Sequence, residues 1–475
     1  MRIALAQTRF KTADFEFNYK SIVENIDKID CDLIIFPEYD LTDTGAKDLV
    51  LDELCCKKQD ELYEKIAEKN FSKAVLVGEV LIKDGEIMLS EDGFFDVCNK
   101  KIFVSDTYRD DVICDLFVLA KNRYYTMNSY KEFIESIDSK NDFVYVNAVG
   151  MSDCNIYAGG SFAKNKENEL VLQMPLCETE INLVDFGSIA EFIEEPIEKQ
   201  ILEITSFALK EYCENTGFKR VILGLSGGID SALTAAIAVK ALGAENVFGV
   251  LMPSMFSSEG SVTDSLKLAE NLGMRTEKHP ITPIFKNFMD KIAHVSPEDE
   301  NKTTLAEENL QARLRALILM YFSNRDNCLL LSTGNKSESA MGFGTLYGDL
   351  AGGLNLICDL TKTNVYKLSN YINKDGEIIP QEIIDKAPSA ELHPGQKDQD
   401  RLPAYEILDD IIEMYLEQCR PVEEICEKYN RAIVEEVVKK IYRMQFKRKQ
   451  GCLGVRLTER SFCCGVNLPV VQRFY

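Results

Sequence analysis

Short apolar runs flanked by polar residues recur through the first 185 positions: RIALAQT, DLIIFPE, KAVLVGEVLI, KKIFVSD, CDLFVLA, DFVYVNAVG, LVLQMP and INLVDF. Their length and β-branched content predict strands. FNYKSIVENID and QDELYEKIAEK, with apolar residues three and four apart, predict helices between them. This alternation predicts an α/β domain. SIAEFIEEPIEKQILEITSFALKEYCENTG predicts an acidic helical connector, and a second αβ series begins at KRVILGLSGG. The boundary is placed near residue 188, dividing the chain into 1–187 and 188–475.

The second series opens with a strand over 220–225, an Ala-rich helix over 231–242 stopped by Gly243, and the strand NVFGVLM. That order predicts a βαβ unit and hence a parallel sheet with right-handed crossover. Helices are predicted near 261–272, 283–294, 306–324, 362–373 and 403–418, with a buried strand at CLLLSTG. Along the helix at 306–324, Leu310, Leu314, Leu317 and Tyr321 form one apolar stripe, while Asn309 and Arg313 lie a turn apart on another face.

Composition narrows the class. A chain of 475 residues with 45% apolar and 28% charged residues is long enough for two or three domains, each with its own core. The net charge of −23 disfavours nucleic acid and anionic membranes as partners. The opening MRIALAQTRF lacks the apolar core of a signal peptide, and no run reaches the length of a membrane span, so a cytoplasmic protein with reduced thiols is expected. Fifteen cysteines without a CxxC pair, and only three histidines, offer no zinc framework.

GLSGGIDSAL, residues 224–233, joins a β-branched strand to a helix, so its glycines can expose several N–H groups at a helix N-terminus. Such a turn is an anion site. It lacks the Lys of GxxxxGK[ST] and is not the GxGxxG of a dinucleotide fold. By itself it is also compatible with an ordinary glycine turn. The full string SGGxDS resembles the pyrophosphate loop of the ATP pyrophosphatase superfamily, whose fold is a doubly wound parallel sheet of the adenine-nucleotide alpha-hydrolase type. Five further blocks, 253–274, 307–324, 330–368, 386–409 and 446–462, resemble the NAD synthetases in the family's order.

The resemblance implies ATP-dependent amidation of deamido-NAD through an acyl-adenylate, with magnesium as cofactor, ATP as co-substrate, and AMP and pyrophosphate as products. It assigns Gly224, Leu225, Ser226, Gly227, Gly228, Ile229, Asp230, Ser231, Thr333 and Lys362 to ATP. Asn309, Arg313, Glu338, Phe343, Gly344, Thr345, Leu346 and Lys447 are assigned to deamido-NAD, and Asp230 and Glu338 to metal. Without it, Glu338 reads as a helix-start acid and Lys447 as part of a basic helix face. SAELHPGQKDQD, polar and broken by Pro and Gly, suits a lid; His393 stands where the family more often has Arg or Lys. The family also implies a homo-oligomer formed through this domain.

MRIALAQTRF, LIIFPEYDLTDTG and FVYVNAVGMSDCNIYAGGSFA resemble a nitrilase-type glutaminase, which implies an α/β/β/α sandwich ahead of the synthetase. That class uses a Glu, a Lys and a Cys to release ammonia from glutamine. Glu38 takes the first place. Where the nucleophile is expected, IFVSDTYRDD offers Val104 or Ser105, and the segment that should carry the lysine is short. VICDLF superficially resembles the nucleophile strand, but using Cys114 would delete the helix and strand expected before YVNAVG, so Cys114 reads as a packed thiol. The expectation is a degenerate glutaminase and a synthetase using ammonia directly. The alternatives are a glutamine-dependent enzyme with an atypical working site, an amidohydrolase with a passenger C-terminal domain, or a protein that only senses deamido-NAD or ATP.

Overall fold

The computed structural model describes residues 1–41, 45–292 and 304–474. Positions 42–44 of LIIFPEYDLTDTG and the end of the helix expected over 283–294, with His294, lie outside them. The chain divides into two compact units, Met1–Gln200 and Ile201–Tyr475. The division falls inside the helix Ile197–Thr216, whereas residue 188 lies in the irregular stretch before it.

The first unit comprises β1 (Ile3–Gln7), α1 (Phe15–Ile26), β2 (Leu33–Phe36), α2 (Glu53–Ala67), β3 (Ala74–Val77), β4 (Val80–Lys83), β5 (Glu86–Met88), β6 (Phe94–Val97), β7 (Lys100–Ser105), β8 (Leu116–Leu119), α3 (Ser129–Ser136), β9 (Asp142–Tyr145), β10 (Val149–Ser152), β11 (Asn155–Ala158), β12 (Phe162–Lys164), β13 (Leu170–Gln173) and β14 (Glu180–Val184). Two six-stranded sheets form, in the orders β14-β1-β2-β3-β4-β5 and β13-β12-β9-β8-β7-β6, and β10 pairs with β11 in a separate two-stranded sheet. Period-two alternation sets the layers. Ile3, Leu5, Leu33 and Ile35 turn inward onto Ile102, Val104, Leu116 and Val118 of the second sheet. Ala4, Ala6, Ile34 and Phe36 turn outward onto Ile22, Ile26, Leu62 and Ile66 of α1 and α2. Phe103, Phe117, Phe143 and Phe162 cover the far face with Phe133 and Ile134 of α3. This is the expected α/β/β/α sandwich.

Two local features depart from the sequence reading. DFVYVNAVG is not one strand: β9 ends at Tyr145 and β10 starts at Val149 in another sheet. Buried Asn147 turns the chain between them by donating to the carbonyls of Arg123 and Gly159. The parallel neighbours β7 and β8 are joined over 106–115 without the helix such crossovers usually contain. Tyr108 covers part of that face, its ring 5.6 Å from Phe117 and 5.9 Å from Phe143, with its hydroxyl donating to the Asp138 carbonyl.

The second unit continues from α4 (Ile197–Thr216) through β15 (Val221–Leu225), α5 (Ile229–Leu242), β16 (Val247–Leu251), α6 (Glu259–Leu272), β17 (Arg275–Lys278), α7 (Thr282–Ile292), α8 (Leu305–Asp326), β18 (Leu329–Ser332), α9 (Lys336–Met341), β19 (Leu354–Asn355), α10 (Lys362–Ile372), α11 (Gln381–Asp385) and α12 (Tyr405–Ile412) to β20 (Leu453–Gly454). Its sheet runs β17-β16-β15-β18-β19-β20 and every pairing is parallel. The chain winds outward from β15 in one direction and, after β17, returns to β18 to wind the other way. That makes the gap between β15 and β18 the switch point, where doubly wound sheets bind ligands beyond the strand ends.

The apolar stripe expected on α8 is corrected. Leu314 is buried, but Leu317 and Tyr321 are 65% and 62% exposed, and the buried set is Glu308, Gln311, Ala312, Leu314, Ala316 and Phe322. Tertiary placement overrides the pattern because the first half of α8 turns polar groups toward loops beyond the sheet. Among the described residues, no helix is long and apolar enough to cross a membrane.

Candidate active site at the sheet switch point

Residues 224–231 occupy the switch point. Gly224 and Leu225 end β15, Ser226 to Gly228 form the turn, and Ile229, Asp230 and Ser231 open α5. Gly227 has φ +76°, and a Cβ there would lie 2.5 Å from the Ser261 carbonyl oxygen of α6, so only glycine allows the two segments to approach. The loop is held from within: Ser231 Oγ donates to the Gly228 carbonyl at 2.9 Å, and Ser226 Oγ accepts from the Gly228 N–H at 3.2 Å.

Across the gap, Thr333 follows β18, and Asn335 caps α9. The Asn335 side chain accepts from the Glu338 N–H while Glu338 accepts from the Asn335 N–H, a reciprocal box satisfying two helix-end donors. The remaining Asn335 amide donates to Asp230 at 2.9 Å, so this cap also fixes the carboxylate of α5. Lys362, at the start of α10 and only 2% exposed, lies 2.5 Å from Asp230 and 3.4 Å from Glu338. Burial works against its charge, but Asp230 and Glu338 outweigh that and raise its pKa.

Burial, followed by the Asp230 charge, pushes the Glu338 carboxyl up to about 8, despite Lys362. A third acid, Asp398, accepts a hydrogen bond from the Tyr405 hydroxyl at 2.8 Å and feels the charges of Lys362 and Asp230. Its other oxygen, Oδ1, is buried without a hydrogen-bond partner among the described residues. Burial raises the Asp398 carboxyl too. Three carboxylates thus face one ammonium group, leaving an excess of negative charge and an oxygen-only donor set.

The other residues singled out from the sequence gather beside a loop after α9. Asn309 Oδ1 accepts from Thr345 Oγ1 at 2.7 Å, and Arg313 Nε donates to the Leu346 carbonyl at 3.1 Å. Lys447 Nζ donates to the carbonyls of Gly342 and Gly344 at 2.8 and 2.7 Å, and Phe343 packs against the C-terminal helical core. Lys447 lies in the helical turn Gln445–Arg448, far away in sequence.

The segment 386–401 is anchored at three points. Glu391 accepts from Ser258 and Ser261, and pairs with Lys386 at 2.9 Å. Gln311 of α8 donates to the Leu392 carbonyl, and Arg401 grips Glu308 with two bonds of 3.0 and 3.1 Å. His393 is part-exposed with its Nε2 3.8 Å from Glu308. Asn335 and Asp398 are residues of this cluster that the sequence reading did not select. Only Asn335 carried a local signal, the N-x-x-E spacing of the cap.

In the first unit, Glu38 follows β2, and its carbonyl accepts from Asn122 Nδ2 at 2.7 Å. Gly78, at φ +57°, leaves room for its side chain: a Cβ there would sit 2.9 Å from Glu38 Cγ. Asn122 follows β8, so Glu38 stands at the carboxyl edge of the second sheet, where β7 ends at Ser105 opposite Leu119. Val104 at that edge is buried, and Ser105 Oγ accepts from the Thr107 N–H. Cys114 precedes β8, at the strand's opposite end, roughly 25 Å of extended chain from Asn122. Burial pushes its thiol up to about 11, far from the range of a nucleophilic thiolate. β6 and β7 are joined by a two-residue turn, Cys98 and Asn99, both with positive φ.

The comparisons agree with this architecture. The family profile described as NAD synthase matches residues 201–451. A glutamine-dependent NAD(+) synthetase of Thermotoga maritima is 33% identical, with 100% of this chain and 99% of that protein covered. The chain belongs to the NAD synthase family. It has the two-domain architecture of the glutamine-dependent NAD synthetases, and as a member it is a ligase. A glutamine-dependent NAD(+) synthetase of Synechocystis is 41% identical over 70% of this chain, the match spanning 61% of the relative. The solved glutamine-dependent NAD+ synthetase of Acinetobacter baumannii, in complex with ADP, superposes with TM-score 0.74 at 28% identity, covering 99% of this chain and 98% of that one. The Thermotoga alignment runs over 579 positions against 475 residues here, so that relative carries segments this NAD synthase lacks.

Proposed function

We propose that this NAD synthase amidates deamido-NAD at the β15/β18 switch point with ammonia it does not itself release from glutamine. The nicotinate carboxylate attacks the α-phosphorus of ATP, pyrophosphate departs with the bonding electron pair, and ammonia displaces AMP from the acyl-adenylate. The loop 226–231 offers N–H groups and the α5 N-terminus to the pyrophosphate, and Lys362 meets the phosphates once they enter. Asn309, Arg313, Glu338, Phe343 to Leu346 and Lys447 make the deamido-NAD side. Asp230 and Glu338, with Asp398 behind them, fit a hard divalent cation: all donors are oxygens, and Asp398 Oδ1 has no hydrogen-bond partner among the described residues. These carboxyl groups would hold a magnesium ion, which would supply charge neutralisation for the departing pyrophosphate.

The observation that carries the ammonia reading is the carboxyl edge facing Glu38, where β7 ends in Val104 and Ser105 rather than a thiol. The two-residue turn between β6 and β7 leaves no loop there for a catalytic lysine. The relatives' names say they use glutamine, so the reading departs from them at one step. Glutamate release from glutamine, measured with and without ATP and deamido-NAD, tests it. No release above the rate of a Cys114→Ala variant supports the reading; robust release lost in that variant overturns it.

The same proposal includes a homo-oligomer. Ile284 and Phe288 of α7 and Leu317 and Tyr321 of α8 are exposed apolar side chains on adjacent helices. Sedimentation of Leu317→Glu tests this face: the wild type sediments as an oligomer and the variant shifts toward monomer, whereas a monomeric wild type contradicts it.

A further inference from the structure

The cations near the site differ in how they are satisfied. Lys362 faces Asp230 and Glu338, Lys386 faces Glu391, and Arg401 grips Glu308. Arg315 of α8 has no carboxylate within ion-pair distance among the described residues. Its one protein bond is from Nε to the Met252 carbonyl, 3.1 Å away. A guanidinium has five N–H donors, so its terminal fork is left without protein acceptors. Its side chain is part-buried, and burial pushes it down to about 10, with Glu391 and Asp349 acting only as more distant charges. A part-buried guanidinium fork with no protein acceptor is open to a planar anion, which it can bind through two parallel N–H donors.

The fold shows where that anion comes from. Leu319 packs against Gly224 at the end of β15, since a Cβ on Gly224 would lie 3.4 Å from its Cδ1. One turn toward the helix N-terminus, Arg315 reaches Met252, just past the end of β16. One further turn on, Gln311 bonds the Leu392 carbonyl of the 386–401 segment. Arg315 therefore lies between the carboxyl edge of the sheet and the segment covering it. Its two distant acids lie on either side: Glu391 at the α6 N-terminus against which Gly227 packs, and Asp349 in the loop that receives Thr345. The first flanks the pyrophosphate loop and the second the dinucleotide side.

We infer that Arg315 is a catalytic residue whose guanidinium fork holds the α-phosphoryl group of ATP while the nicotinate carboxylate attacks it. The inference rests on the proposed acyl-adenylate reaction. One P–O bond forms to the carboxylate and one breaks to the pyrophosphate, with no proton transferred. Negative charge moving across the phosphoryl oxygens gives a planar two-donor fork a stronger partner in the transition state than in the ground state.

The test is Arg315→Met beside Arg315→Lys, read by pyrophosphate release with saturating ATP, deamido-NAD and ammonium chloride, and by thermal melting without substrates. Loss of an electrostatic donor of this kind lowers kcat by about 10²–10³. The expected result is a loss of that size in Arg315→Met, with each KM changed less than about threefold and a melting temperature close to that of the wild type, because the part-buried fork makes no protein bond beyond that of its Nε. Arg315→Lys keeps the charge without the fork and falls between them. A kcat within threefold of wild type, a change confined to KM, or a kcat loss accompanied by lower melting in both variants overturns the assignment. A wild type that releases no pyrophosphate defeats instead the reaction on which it rests.

Discussion

The cation site proposed at Asp230 and Glu338 makes metal binding depend on pH. The Glu338 carboxyl sits at about 8 rather than the ordinary 4.5, first because of burial and then because of Asp230. A divalent cation binds the carboxylate, so at pH 7 it must first displace a proton from about nine-tenths of the molecules. Apparent Mg2+ affinity is then about elevenfold below its plateau at pH 7 and about a hundredfold below at pH 6, rising tenfold per pH unit before levelling above pH 8. The folded-state pKa is raised, so Glu338 makes its full contribution to stability below about pH 4.5 and loses it as pH climbs through 8; bound Mg2+ offsets that loss. Calorimetric titration of the substrate-free protein with Mg2+, in buffers of different ionisation enthalpy, counts the protons. Net proton release on Mg2+ binding is expected at pH 7, and markedly less of it in Glu338→Gln. Equal proton release in wild type and variant, or a flat affinity between pH 6 and 8, would refute the argument.

Gly227→Ala places a Cβ at positive φ and 2.5 Å from the Ser261 carbonyl, so a loss of about 1–3 kcal/mol in melting experiments is expected, with ATP binding abolished. Lys362→Met leaves Asp230 and Glu338 without their ammonium partner; kcat for pyrophosphate release falls about a hundredfold or more, and metal affinity rises because the competing cation is gone. Asn335→Ala removes the α9 cap and the bond to Asp230, costing about 1 kcal/mol in chemical denaturation and raising the KM for ATP.

What was legible in the sequence follows locality. The longer apolar strands, the loop 224–231 and the first βαβ unit announce themselves because short-range periodicity and glycine spacing encode them, whereas short strands such as β17, β19 and β20 carry no such pattern and the doubly wound order was implied only by the resemblance. Glu338 was legible by resemblance, and its cap by an Asn three residues earlier. Arg315 and Asp398 were not, because nothing near them differs from a solvated helix or a polar loop. They become site residues only when α8 and the 386–401 segment converge beyond the sheet. Leu317 and Tyr321 misled for the complementary reason: these two side chains of the stripe face away from the unit's core, while Leu314 is buried. The crossover from β7 to β8 shows the same limit, since only the folded chain reveals that Tyr108 lies where a helix is usual.

The claim that this NAD synthase depends on ammonia from elsewhere is tested most directly by steady-state NAD formation with ATP and deamido-NAD, comparing ammonium chloride with glutamine as the nitrogen source. The geometry around Glu38, Val104 and Ser105 predicts turnover with ammonium and none above background with glutamine. Glutamine-driven turnover equal to or above that with ammonium would contradict it.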